Sequence, residues 1–198
     1  MAATRGSDSD RRAWTIAAGL CVLLVAGIAY KVSSSAPQPT APDMANTGVL
    51  TGERAPDISG LSPRERFDRL FNRIMQAAER GDAQEVERFT PMALGAYQQL
   101  DTVDEDARYH AAVIHLQAGQ IPEARALADT ILADAPGHLF GYLVRGTAAR
   151  IANDSAQENK AQREFLRHYQ SEMAANRVEY LEHKPVIEEF RSEAEKRE

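Results

Sequence analysis

Hydrophobic residues divide this chain into an uncharged run near the N-terminus, a proline-rich stretch and a long part with helical periodicity. From residue 61 onward, apolar positions recur at intervals of three and four, the spacing that lines one face of an α-helix. No stretch in this part alternates between apolar and polar residues as a half-buried β-strand does. We therefore expect residues 61–198 to form an all-α domain.

Start and stop signals delimit seven helices in this part. The first begins at Ser62, which is followed by a first-turn proline and by Glu65, the pattern of a capping box. We expect Pro91 to kink or split the second helix, because proline lacks an amide hydrogen and clashes with the preceding turn. The predicted helices span about 62–80, 82–100, 106–118, 121–135, 138–151, 155–174 and 185–196.

The uncharged run, Ala13–Tyr30, predicts a transmembrane helix. Its 18 residues would span roughly 27 Å as an α-helix, close to the hydrocarbon thickness of a bilayer. Trp14 and Tyr30 lie at its two ends, where aromatic residues mark the membrane interface. Three arginines precede the run and one lysine follows it closely, so the positive-inside rule places residues 1–12 in the cytoplasm. We assign the membrane helix to residues 13–31.

Two alternatives stay open for this N-terminal part. A signal peptidase could cleave after small residues near Ala29 or Ala36, although the apolar run is longer than a signal peptide needs. Residues 32–60 are rich in proline, serine and alanine and have no apolar period, which predicts a flexible tether. The tether is either a plain spacer or a strap that becomes ordered on a partner. Cys21, the only cysteine, lies in the membrane run and permits no intramolecular disulfide.

Residues 106–138 resemble a tetratricopeptide repeat (TPR) of about 34 residues. The positions that carry the resemblance are the small residues Ala112 and Ala124, the turn residue Gly119 and the closing Pro136. His115 and Ala128 depart from the pattern, since the family usually has aromatic residues there. A looser second unit begins near Leu139, with Tyr142 and Gly146 at the aromatic and small positions, and the pair before residue 100 is a degenerate unit or a cap. The resemblance implies a TPR-like solenoid of stacked α-hairpins.

The resemblance also implies a protein-binding groove, because the first helix of each hairpin lines the concave face in that family. The candidate groove residues are Tyr109, Val113, Leu116, Gln117, Phe140, Leu143, Thr147 and Arg150. Val113 and Leu116 could equally be core residues. We expect Tyr109, Gln117 and Arg150 to be exposed in the groove.

The net charge and the lack of recognisable motifs exclude several classes of function. Residues 61–198 contain 18 basic and 24 acidic side chains, which account for the net charge of −6 and disfavour nucleic-acid binding. Glu179 and His183 could share a helix face, but two ligands do not make a closed metal site. His110 and His115, five residues apart, should diverge. No motif for catalysis, a metal or a cofactor is recognisable, so we predict no catalytic, metal-binding or cofactor-binding residues and no enzymatic activity.

Together these features predict a single-pass protein of a bacterial inner membrane, with its helical domain on the extracytoplasmic (periplasmic) side. Its expected partners are the lipid bilayer, through residues 13–31, and other membrane or periplasmic proteins. We expect a scaffold, an accessory subunit of a multi-subunit inner-membrane complex, with an energy-transducing complex as one candidate. The alternative is a periplasmic assembly factor or chaperone for translocated or cytochrome-type clients.

Overall fold

The computed structural model describes residues 60–197, and this part of the chain is helical, with eight α-helices and no β-strand. The all-α prediction is therefore confirmed for these residues. The helices are α1 (Pro63–Glu79), α2 (Ala83–Tyr97), α3 (Glu105–Gln117), α4 (Ile121–Asp134), α5 (Leu139–Ile151), α6 (Ser155–Ala174), α7 (Val178–Glu182) and α8 (Lys184–Glu195).

The predictions for the N-terminal part lie outside the described residues. They are the tail 1–12, the membrane helix 13–31 with Trp14 and Tyr30, and all of the tether 32–60 except its last residue. Within the described range, none of the helices combines the length and apolar content needed to cross a bilayer.

Local capping signals set the helix boundaries close to where the sequence predicts them. Ser62 and Glu65 form the expected capping box, with the serine side chain bonded to the Glu65 amide and the glutamate to the Ser62 amide. Asp104 caps α3 through the amide of Ala107 at 2.7 Å. Gly119 follows the end of α3 and has a φ of +72°, a left-handed conformation that glycine adopts without steric cost.

Two details differ from the helix prediction. Of the two outcomes expected at Pro91, a kink or a split, the split does not occur, because α2 runs unbroken from Ala83 to Tyr97. Pro91 and Glu87, whose carbonyl loses its helical donor, are both exposed, so water can satisfy that carbonyl. The sequence also misses α7, because a helix of five residues is too short to show an apolar period.

The helices pack as pairs, α1 with α2, α3 with α4 and α5 with α6, and each pair packs on the next. Close helix crossings explain several small residues. Ala112 and Ala124 are fully buried between α3 and α4. On α5, a Cβ at Gly146 would lie 2.6 Å from the ring of Phe190. Thus the small position predicted at Gly146 is required by α8, which packs on both α5 and α6.

Candidate functional site

The face predicted as a groove lies under the last two helices of the described chain. We call α7, α8 and the residue between them, His183, the C-terminal segment (residues 178–195). Tyr109 of α3 stacks on Phe140 of α5 with ring centroids 4.2 Å apart, and the edge of the His183 ring contacts both. Tyr109, which we expected to be exposed, is only 3% exposed. The sequence could not reveal this burial, because it depends on a residue more than 70 positions later in the chain.

The other predicted groove residues divide into buried and half-buried groups. Gln117 is half-buried, and so is Arg150, which is held by ion pairs of 2.6 Å to Glu158 and to Glu193 of α8. These two are therefore less exposed than expected. The remaining residues of the set are buried: Val113, Leu116, Phe140, Leu143 and Thr147. In the described chain, the predicted groove is thus largely interior, and part of its cover is the chain's own C-terminal segment.

Beside Tyr109, three ionisable side chains converge in what we call the Asp–His cluster: Asp106, His110 and His183, all buried. His183 Nε2 lies 2.8 Å from Asp106 Oδ1 and 3.2 Å from His110 Nε2. His110 Nε2 lies 3.7 Å from the same Asp106 oxygen. Three atoms with lone pairs therefore face one another across a small triangle.

Two separate parts of the fold build this cluster. Asp106 lies in the first turn of α3, and His110 follows four residues later, so the helix places both on one face. His183 lies at the junction where α7 ends and α8 begins. The ring of His110 stacks on Phe71 of α1 at 4.0 Å between centroids, which fixes its plane.

Arg64, at the start of α1, anchors the acidic side of the cluster. Its guanidinium contacts Oδ2 of Asp106, and it also pairs with Asp104 at 3.0 Å and Asp68 at 3.1 Å. On the far side of the His110 ring, Nδ1 is buried without a hydrogen-bond partner and lies 4.0 Å from Asp68 Oδ1. The carboxylate of Asp106 is therefore oriented with Oδ1 toward the two histidines.

Burial and charge set the protonation of the cluster. Burial alone would raise the pKa of Asp106, but the hydrogen bond from His183 and the positive charge of Arg64 hold it well below its usual range. Burial lowers the pKa of His110 to about 3, despite the opposing effect of the Asp106 charge. His110 is thus a neutral imidazole at pH 7, and Asp106 is a carboxylate.

A second polar network joins the C-terminal segment to the start of α5. His138 caps α5 by accepting from the Phe140 amide, and its Nε2 lies 3.3 Å from Glu179. The Tyr180 hydroxyl accepts from the Leu139 amide at 2.9 Å and donates to a carboxylate of α6, that of Glu172, at 2.8 Å. In this network no three potential ligand atoms converge as they do in the Asp–His cluster. Its hydrogen bonds cap the start of α5.

The structure does not pair Glu179 with His183, the two residues that the sequence suggested might share a face. Glu179 bonds to His138, whereas His183 bonds to Asp106. His110 and His115 do diverge, since His115 lies near Gln120 at the end of α3, at 2.6 Å. Sequence reasoning missed the cluster, and the only local signal for it was the four-residue spacing of Asp106 and His110.

Neither a protein-family model, nor a curated protein, nor a solved structure matches the chain.

Proposed function

We propose that this chain is a membrane-anchored scaffold of TPR-like helix pairs that binds other proteins outside the cytoplasm of a bacterium. The uncharged run and its uneven flanking charges support the anchor and its orientation. Helix pairs that pack one on the next support the repeat-like architecture. An accessory subunit of a multi-subunit inner-membrane assembly is the role that fits this layout.

The observation that carries the proposal is an apolar pair presented to solvent on α7. Val178 is 68% exposed and Leu181 is 61% exposed, and they lie three residues apart on one short helix. Isolated exposed apolar residues are common, but two of them three residues apart on a fixed support form a small apolar patch that a partner can cover. The support is fixed here because Tyr180, between them, is buried and bonded to both Leu139 and Glu172.

The expected partner is the extracytoplasmic part of another membrane protein, with an apolar side chain that covers this pair. A contact made by only two apolar side chains is weak by itself. The predicted membrane anchor compensates, because confinement to the same bilayer raises the effective concentration of the partner. The acidic charge of residues 61–198 disfavours the alternative that the pair lies on an anionic lipid surface.

The test is mild-detergent purification of the full chain from its native membrane, followed by mass spectrometry of the bound proteins. We expect one or more membrane proteins in a fixed ratio to the chain. The double variant Val178→Asn with Leu181→Asn should reduce their recovery at least tenfold. Met92→Gln is the matched control, because Met92 is also an exposed apolar residue but lies on α2.

The purification has three decisive outcomes, and alkaline carbonate extraction tests the membrane anchor separately. Loss of the partners in the double variant alone supports the scaffold. Recovery of partners in small, variable amounts indicates instead an assembly factor or chaperone that releases its clients. No partner at all, or equal recovery from every variant, contradicts the proposal. Extraction of the intact chain by alkaline carbonate contradicts the membrane anchor.

A further inference from the structure

The Asp–His cluster contains more lone pairs than protons, which is unusual for a buried polar group. His183 Nε2–H can donate to Asp106 Oδ1 at 2.8 Å, and this proton satisfies one contact. His110 Nε2 then faces a nitrogen at 3.2 Å and an oxygen at 3.7 Å, and neither contact is good without a second proton. A second proton would add a buried charge or crowd the first, so the cluster is poorly satisfied by hydrogen bonds alone.

The spacing of the three donor atoms matches that of metal ligands. Atoms bound at about 2.0–2.1 Å from one ion lie roughly 2.9–3.4 Å apart in octahedral or tetrahedral coordination. The observed distances of 2.8, 3.2 and 3.7 Å surround this range. An ion that sits between the donor atoms would therefore need side-chain shifts of only a few tenths of an ångström at each ligand.

We infer that Asp106, His110 and His183 bind one divalent transition-metal ion of the Zn²⁺ class, which ties the C-terminal segment to α3. Two imidazoles and one carboxylate are a donor set that such ions prefer, with a water molecule at the fourth position. Calcium and magnesium are disfavoured because they select oxygen ligands. This inference does not depend on the proposed function.

The surroundings of the cluster suit a bound cation. Arg64 holds Oδ2 of Asp106, so that Oδ1 faces the two histidines. The carboxylate of Asp68 lies 4.0 Å from the far nitrogen of His110, the atom that is buried without a hydrogen-bond partner. A hydrogen bond from that nitrogen to Asp68 would orient the ring and make it a better ligand, and it requires the two atoms to approach by about 1 Å. Formally, Asp68, Asp104 and Asp106 exceed the charge of Arg64 by two, which balances a divalent ion.

A bound ion would have a specific structural consequence. His183 lies between α7 and α8, and its two cluster partners lie on α3, 73 and 77 residues earlier. The metal would thus close a long loop and hold the C-terminal segment over Tyr109 and Phe140. Because the unfolded chain lacks this arrangement, binding also stabilises the folded state.

The experiment uses the full chain in detergent, without a histidine tag and after treatment with a chelator. Isothermal titration with Zn²⁺ should give one ion per chain, and Co²⁺ should give the visible absorption of a site with nitrogen and oxygen ligands. His183→Asn and Asp106→Asn should each weaken binding at least tenfold. His115→Asn is the matched control, since His115 is on the same helix but outside the cluster, and it should bind as the original chain does.

A second measurement needs no substitution and so covers the case in which a variant fails to fold. Long-range ¹H–¹⁵N correlation spectra of the histidine rings should show that Zn²⁺ shifts one nitrogen in each of two histidines, in both cases Nε2. Three results would each overturn the inference. His183→Asn could leave Zn²⁺ binding unchanged, His115→Asn could weaken binding as much as His183→Asn does, or Zn²⁺ could leave the ring spectra unaffected.

Discussion

The first helix pair and the C-terminal segment are held in place by different kinds of contact. The interior of α1 and α2 is apolar, and Thr90 is its one buried polar residue, with its hydroxyl bonded to the carbonyl of Val86 within its own helix. The C-terminal segment also buries apolar side chains, among them Ile187 and Phe190 of α8, but in addition it contacts α3 and α5 through buried histidine, aspartate and tyrosine side chains. Apolar burial supplies stability without direction, whereas hydrogen bonds and charges require one particular arrangement. The comparison teaches that this fold adds directional contacts to apolar packing where a distant part of the chain must dock.

The largest expected effect tests the apolar side of this comparison. Phe67→Ala removes a fully buried ring from the first helix pair and should lower the free energy of unfolding by about 3–5 kcal/mol. Urea denaturation followed by circular dichroism measures this loss. Met92→Ala, on the exposed side of the same pair, should change it by less than about 0.5 kcal/mol. Equal effects of the two changes would contradict an apolar core in this pair.

The next effect tests the directional contacts of the C-terminal segment. Tyr180→Phe removes a hydroxyl that accepts from the Leu139 amide and donates to Glu172. It should lower the free energy of unfolding by about 1–3 kcal/mol, because the buried amide of Leu139 loses its partner. Tyr142→Phe is the control, since that hydroxyl bonds only to the Pro136 carbonyl, and should cost about 1 kcal/mol or less. If the control is the more damaging change, the network does not hold the segment.

Replacing a glycine by alanine in each region compares how closely the helices pack there. Gly146→Ala should destabilise the chain by about 1–3 kcal/mol, because the new Cβ would lie 2.6 Å from the Phe190 ring of α8. Gly95→Ala on α2 meets no atom within 4 Å and should stabilise the chain by about 0.5–1 kcal/mol through helix propensity. Thermal unfolding should therefore shift in opposite directions. Shifts of the same sign would show that α8 does not pack closely on α5.

The smallest effect is a dependence on pH. Burial lowers the pKa of His138, although the hydrogen bond to Glu179 opposes it, and Arg177 and Glu172 are the other charged groups nearby. Because the folded pKa is below the unfolded value of about 6.5, the stabilising contribution is complete above that pH and is lost as the pH falls below it. The cause is structural, since protonation of Nδ1 removes the acceptor that caps α5.

His138→Asn separates this group from the rest of the chain. Asparagine can still cap the helix but does not titrate. The midpoint of urea unfolding between pH 8 and pH 5 should fall more steeply for the original chain than for the variant. Parallel pH curves for the two proteins would mean that His138 is not a neutral cap.

The sequence predicted the helices well, because their signals are local. Ser62 and Gly119 mark helix ends through contacts within a few residues, and the apolar stripes need only one helix. It predicted the site poorly, because Asp106 and His183 meet across 77 positions of the chain. The apolar periodicity could not distinguish a core position from a groove position for Val113, since a residue in either position lies on the apolar face of α3. The cover over that face includes α7, a helix too short to be predicted.

Hydrogen exchange of the full chain, with and without one equivalent of Zn²⁺, tests most directly the claim that a metal ion bound by the Asp–His cluster ties the C-terminal segment to α3. We predict slower exchange in the first turns of α3 and in residues 178–190 when Zn²⁺ is present, and little change in α2. Exchange that Zn²⁺ leaves unchanged, or slows equally in α2 and in the C-terminal segment, would contradict the claim.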